Sequence, residues 1–158
     1  MDDLLELAER VARSAHEGQI DKGGQPYIGH PQRVAQMVAG NEAKQVAWLH
    51  DVIEDTTVTS ADLLELGFSS EVVDAVVLLS KRKGTILSEY YAAIRENALA
   101  LTIKTADIAD NLSPERHSVL SPAESQRLQD KYAHALEALG VSREDLPTIG
   151  EQVDWGLR

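Results

Sequence analysis

Four ionisable residues fall within six positions of an otherwise apolar stretch, Ala47-Trp48-Leu49-His50-Asp51-Val52-Ile53-Glu54-Asp55. Inside a core such groups are costly unless a metal or mutual hydrogen bonds hold them. On a helix His50 and Glu54 share one face, and Asp51 and Asp55 share the next. An adjacent imidazole and carboxylate suit a borderline or hard divalent ion. The dipeptide alone is weak: five His and twelve Asp give ~0.4 such neighbours by chance, and a helix end with solvated charges accounts for the segment equally well. Two further features favour a metal. His30 begins a helix after a glycine-rich loop, and Asp107 lies in the apolar run Leu101–Leu112, with Asn111 on its face and Asp110 expected to point elsewhere. A His, a His-Asp pair and a distant Asp on three helices can converge on one ion in a bundle core.

The elements that would position these groups are helical. Leu4, Leu5, Leu7, Ala8, Val11, Ala12 and Ala15 recur at three- and four-residue steps, which predicts a helix over 2–17. Gly18 to Pro31 reads as a loop, and a loop of that length is commonly functional. Pro31 fits the first position of a helix to about Ala39. The pattern then predicts helices over 42–54, 61–66 (capped by Ser60), 70–80, 86–97, 98–112 and 122–139. Ser142 to Glu151 reads as a short helix or turn before a loosely held tail. The expected fold is all-α: one domain over 1–158, a bundle of seven to nine helices with the metal site in its core.

Composition narrows the function. There is no cysteine, so thiolate metal sites, disulfides and cysteine nucleophiles are excluded. Acidic residues outnumber basic ones 26 to 15, a net charge of −11, which argues against nucleic acid as a partner. An anionic small molecule stays compatible where a cation dominates the local field. No apolar run approaches a membrane span. The acidic start lacks the marks of a signal peptide, so a cytoplasmic location is the expectation. The sequence leaves a homo-oligomer open.

The run His16-Glu17-Gly18-Gln19, Lys22, Gly24, Pro26-Tyr27 and His30-Pro31, then Leu49-His50-Asp51-Val52-Ile53-Glu54-Asp55-Thr56, then Lys104, Ala106-Asp107 and Asn111, resembles the hydrolase domain of the Rel/Spo alarmone enzymes. That domain belongs to the HD superfamily of metal-dependent phosphohydrolases. The chain ends where a synthetase domain would be needed, so it is most similar to the stand-alone small alarmone hydrolases. The resemblance implies His30, His50, Asp51 and Asp107 as metal ligands, manganese (Mn2+) as the usual ion, and Glu54 and Asp55 as the pair that activates water. It implies Asn111 near ribose and phosphates, and Lys22 in the substrate-facing loop. The implied reaction removes the 3′-pyrophosphate of ppGpp or pppGpp. Lys104, one turn before Asp107, is the better phosphate candidate, whereas Lys81-Arg82-Lys83 reads equally as a solvated helix end.

The sequence departs from the family at Asp21, where the long enzymes carry the first residue of a basic pair, and at Ile108 and Asp110, where Arg and His are common. The Asp21 change keeps other substrates in view: ppApp, NADPH or a nucleoside triphosphate. A nucleotide-binding regulator without turnover would be expected to lack Glu54, Asp55 or a ligand, and none is missing. Of the remaining histidines, His16 is expected to tie the first helix to the loop, and His117 and His134 to stand apart from the site. Tyr27 is expected to anchor the loop by packing, and Trp48 to lie in the core.

Overall fold

A computed structural model describes residues 2–148. Its α-helical segments are α1 (Asp2–Ala15), α2 (Gly29–Met37), α3 (Asn41–Leu49), α4 (Val52–Asp55), α5 (Ser60–Glu65), α6 (Ser70–Leu79), α7 (Leu87–Arg95), α8 (Ala98–Asn111), α9 (Pro114–His117) and α10 (Pro122–Leu139). A single 3-10 turn follows at Arg143–Asp145, within the segment read as a short helix or turn. The tail from residue 149 lies outside the described residues. Among those described there is no β-strand, only an isolated bridge between Ile20 and Pro26. The expected all-α fold is the observed one. No described helix is long and apolar enough to cross a membrane.

The centre of the bundle is α3, which packs against α1, α2, α6 and α8. Its sequence explains this position. Ala43, Val46, Ala47, Trp48 and Leu49 are all buried, and a helix apolar around most of its circumference must be enclosed. Small residues bring α1 close, since Ala8 and Ala12 are fully buried against the same core. The Val- and Leu-rich α6 adds Val72, Val76 and Leu79, and α8 adds Ile103 and Ile108.

The predicted boundaries hold to within about two residues for α6, α7, α8 and α10. The cap of α5 is Thr59 rather than Ser60. Thr59 accepts the Asp62 N–H while the Asp62 carboxylate accepts the Thr59 N–H, a reciprocal capping box. The helix expected over 42–54 is divided. α3 stops at Leu49, and α4 begins at Val52 after Asp51, whose backbone sits at φ −107°, ψ −2°. The loop before α2 is also more ordered than a glycine-rich run suggests. Tyr27 N–H donates to Gln19 O and Asp21 N–H to Gln25 O, each at 2.8 Å. The chain reverses at Gly24, where φ is +84°, a region costly for any side chain.

Candidate metal centre

The break between α3 and α4 arranges the first two site residues. On an unbroken helix, neighbouring side chains diverge by about 100°. Here His50 Nδ1–H donates to Ala47 O at 2.7 Å, and the turn at Asp51 brings the adjacent carboxylate back beside the imidazole. His50 Nε2 lies 3.1 Å from Asp51 Oδ2. Tyr27, from the loop before α2, donates its hydroxyl hydrogen to the same Asp51 oxygen.

α2 and α8 complete the group. His30 Nε2 is 2.8 Å from Asp107 Oδ1 and 3.8 Å from Asp51 Oδ2. His50 Nε2 is 3.5 Å from Asp107 Oδ1. One ligand atom from each of His30, His50 and Asp107 lies within 4.8 Å of the others, and all three residues are buried. The structure thus brings together the four residues that the sequence singled out.

The donor set fits a divalent cation. The backbone hydrogen bond at Nδ1 directs the His50 Nε2 lone pair into the cluster, where this buried atom has no hydrogen-bond partner. Two imidazole nitrogens and two carboxylates match the preferences of zinc, manganese or iron more than those of calcium. The carboxylates also call for positive charge. Burial alone would raise the Asp51 pKa, yet the charge of the adjacent His50 carries it below its ordinary value. Burial likewise works against ionised Asp107, and Lys104 with the two histidines holds it well below the usual carboxylate range. His50 itself is driven well above the ordinary imidazole value by Asp51 and Asp107, against the effect of burial.

A cavity of about 170 Å³ opens over these groups, lined also by Glu54, Asp55, Lys81, Tyr90, Lys104 and Asn111. Asp55 is pushed up to about 6 by burial first and then by the charges of Asp51 and Glu54. A carboxylate poised there can accept a proton near neutrality. Glu54 accepts the Lys81 backbone N–H at 2.7 Å. Lys104 Nζ donates to Asp107 Oδ2 at 3.0 Å, and both Lys104 and Lys81 place their ammonium groups over Tyr90, at 5.5 and 5.6 Å from its centroid. Asn111 donates to Asp107 Oδ1 at 3.1 Å. Within the basic cluster, then, Lys81 faces the site.

Asp21 and Lys22 line a second, larger cavity of about 1170 Å³, which shares Tyr27, Asn111 and Tyr132 with the first. Asp21 Oδ1 accepts the N–H groups of Gly23 and Gln25 at 2.9 Å. Lys22 Nζ pairs with Glu124 Oε2 at 2.7 Å. His16 ties α1 to the loop through Gln19 at 2.8 Å, with its ring 5.0 Å from that of Tyr27. His117 binds Ser125 and the Asn111 carbonyl, and His134 a backbone carbonyl of α10; neither lines the smaller cavity.

Spacing does not show where Asp110 packs: it stands outside the smaller cavity, yet it is fully buried, and its Oδ2 lies 2.7 Å from His30 Nδ1. A residue three positions after Asp107 lies only about 60° round the helix from it, and α2 packs on that flank of α8. The sequence signal was an extra carboxylate in an apolar helix. Arg33 and Arg116, which bind Asp110, carry no comparable signal.

No family model matches the chain. Curated relatives do. A guanosine-3′,5′-bis(diphosphate) 3′-pyrophosphohydrolase of Haemophilus influenzae is 42% identical over 116 residues, covering 65% of this chain and 17% of that protein. The Vibrio cholerae protein of the same name is 37% identical over 149 residues, 83% of this chain and 21% of that one. The bifunctional (p)ppGpp synthase/hydrolase SpoT of Escherichia coli K12 is 38% identical over 122 residues, 68% and 17% respectively. The chain therefore spans about a fifth of the length of these relatives. A solved structure described as a metazoan orthologue of SpoT that hydrolyses ppGpp superposes with a TM-score of 0.69 at 24% identity, over 98% of this chain and 94% of that one. Its likeness gives the fold. The sequence relatives make the chain homologous to one segment of the Rel/Spo family proteins.

Proposed function

We propose that the chain is a metal-dependent (p)ppGpp 3′-pyrophosphohydrolase, acting as a single HD-type hydrolase domain over 1–158 in the cytoplasm. The carrying observation is the convergence of His30, His50, Asp51 and Asp107 from three parts of the chain, with His50 Nε2 buried and without a hydrogen-bond partner. In this reading those four residues hold a divalent ion, manganese by family resemblance. When bound, the ion would act as a Lewis acid toward water and a phosphoryl oxygen.

The chain's own residues do the rest. Asp55 accepts a proton from the attacking water, whose oxygen bonds to the phosphorus carried on the ribose 3′ oxygen. The bond from that phosphorus to the ribose 3′ oxygen breaks, the ribose oxygen takes up a proton from solvent to become a hydroxyl, and the products are GDP or GTP and pyrophosphate. Glu54, anchored on the Lys81 backbone, holds the rim on which the water is oriented. Lys81 and Lys104 meet the phosphate charge, and Asn111 lies on the side toward the larger cavity, which has room for a nucleoside. Asp21 on the wall of that cavity supports a second reading of the base, in which ppApp serves as well as ppGpp.

The test is turnover with and without manganese against ppGpp, ppApp, NADPH and deoxynucleoside triphosphates, with products resolved. Release of intact pyrophosphate from ppGpp, abolished by chelator and restored by manganese, is the expected result. Turnover of NADPH or triphosphates alone would overturn the substrate assignment.

A further inference from the structure

Asp110 has no exposed surface and lies behind the ligand cluster, at the wall of the larger cavity. Such a carboxylate persists only if its lone pairs are met by strong donors. Oδ1 accepts Arg33 Nε–H at 2.7 Å. Oδ2 accepts Arg33 Nη2–H at 3.2 Å and Arg116 Nη1–H at 3.1 Å. The remaining contact is to His30, with Nδ1 2.7 Å from Oδ2. Two arginines are more than charge balance for one carboxylate needs. What they achieve geometrically is to hold both carboxylate oxygens in place, Arg33 across the pair and Arg116 at Oδ2 beside the imidazole.

The proton on that imidazole is decided by the neighbours of Nδ1. Arg116 Nη1 also lies 3.1 Å from it, so Nδ1 could in principle accept from the guanidinium. The shorter distance argues otherwise. A lone pair on Nδ1 would face an anionic oxygen at 2.7 Å, whereas Arg116 Nη1 has a better acceptor in Asn111 Oδ1 at 2.6 Å. Nδ1 therefore carries hydrogen and donates it to Asp110, which leaves Nε2, 2.8 Å from Asp107 Oδ1 and 3.8 Å from Asp51 Oδ2, as the nitrogen a bound ion would take. His50 reaches the same state through the Ala47 carbonyl. A carboxylate does the task more strongly, since a charged acceptor about doubles a hydrogen bond.

We propose that Asp110 is a positioning residue for the metal centre: clamped by Arg33 and Arg116, it fixes the orientation and tautomer of His30 so that Nε2 is presented to the ion. The inference rests on the metal reading given above, and it concerns a position where the Rel/Spo pattern commonly has histidine. Orienting carboxylates behind ligating histidines typically contribute about ten- to a hundred-fold in metal affinity.

The experiment is a double-mutant cycle read as manganese affinity of the purified protein by equilibrium dialysis. Asp110→Asn, close in size and uncharged, is expected to bind manganese about ten- to a hundred-fold more weakly. In a His30→Ala background the same substitution should change affinity less than about two-fold, because the imidazole it serves is gone. Arg33→Gln, which leaves the His30–Asp110 bond, should lower thermal stability yet change affinity by less than the Asp110 variant does. A purely structural Asp110 would give equal losses with and without His30, or none. A second readout uses wild-type protein, so that a poorly folding variant does not decide the matter. In the zinc-loaded protein, ¹⁵N NMR of His30 should show a protonated Nδ1 and a metal-shifted Nε2; the reverse assignment overturns the inference. Wild-type protein that binds neither ion would remove the metal reading and this inference with it. Normal binding by wild type and Asp110→Asn alike would overturn this inference alone.

Discussion

Glu54 and Asp55 are neighbours in α4, and Glu54 is anchored to the opposite rim by accepting the Lys81 backbone N–H at 2.7 Å. That contact joins the end of the split helix to the turn after α6 and closes one side of the smaller cavity. Asp55 has a different environment, in which burial and two neighbouring carboxylates raise its pKa to about 6. Two adjacent acids thus have separable roles. Asp55→Asn is expected to lower kcat by about 10²–10⁴-fold, the usual effect of removing a general base, with metal content unchanged. Glu54→Gln retains an acceptor for the Lys81 N–H and should lose less. Steady-state kinetics with metal analysis on both variants checks this, and equal losses would assign the base role to neither residue alone.

The ligand assignment predicts metal content directly. His50→Ala and Asp51→Ala each remove one donor of a buried set and leave the others with uncompensated charge. Both variants are expected to retain far less than one equivalent of manganese after dialysis and to lose activity together with the metal. Elemental analysis after gel filtration decides it. Full stoichiometry in either variant would remove that residue from the ligand set.

How much of this was readable beforehand depends on what each residue's neighbours look like in sequence. His50, Asp51 and Asp107 stand out because charge inside apolar helical runs is costly, and the cost is visible without coordinates. The division of the helix at His50 was not visible. The apolar period runs on through Val52 and Ile53, and the break depends on a side chain bonding a carbonyl one turn back. The contact of Asp110 with His30 is not legible, because spacing ranks faces on one helix, while the packing of α2 against α8 decides which face is enclosed. Arg33 and Arg116 look like ordinary surface residues, and only the tertiary fold brings them 77 and 6 positions along the chain to one carboxylate. Lys22 sits in the anticipated loop, but its partner Glu124 is 102 residues away.

The scaffold that holds the ligands should be sensitive at its centre. Leu49 is fully buried immediately before His50. Leu49→Ala is expected to cost about 2–5 kcal/mol through lost burial and the cavity left behind. For a chain of this size that lowers Tm by very roughly 5–20 °C. Thermal and urea unfolding measure it. A loss below about 1 kcal/mol would mean that neighbouring side chains refill the space, and α3 would then be less tightly enclosed than its burial indicates.

Asp21 is where the sequence leaves the family pattern, and its geometry changes what a substitution there should do. Oδ1 organises the loop by accepting two backbone N–H groups, and Oδ2 lies 3.8 Å from Arg116 Nη2. Asp21→Arg would add the family's positive charge but remove both loop bonds and set two guanidinium groups against each other. Asp21→Asn is the cleaner change, since an amide oxygen can keep the loop bonds while the charge disappears. A unit charge about 10 Å from a phosphate is worth roughly 0.4–1.7 kcal/mol at effective dielectric constants of about 80 to 20. Removing it from the cavity wall should therefore lower the KM for ppGpp by about two- to some fifteen-fold. kcat should change little, because Asp21 does not line the cavity over the ligand cluster. The same fall is expected for ppApp, whose phosphate charge matches, so the base preference should be nearly constant. Kinetics of both proteins on both substrates at saturating manganese is the check. An unchanged KM would show that the polyphosphate lies beyond the reach of this carboxylate, and a preference that shifts between the two purines would instead make Asp21 a direct contact to the base.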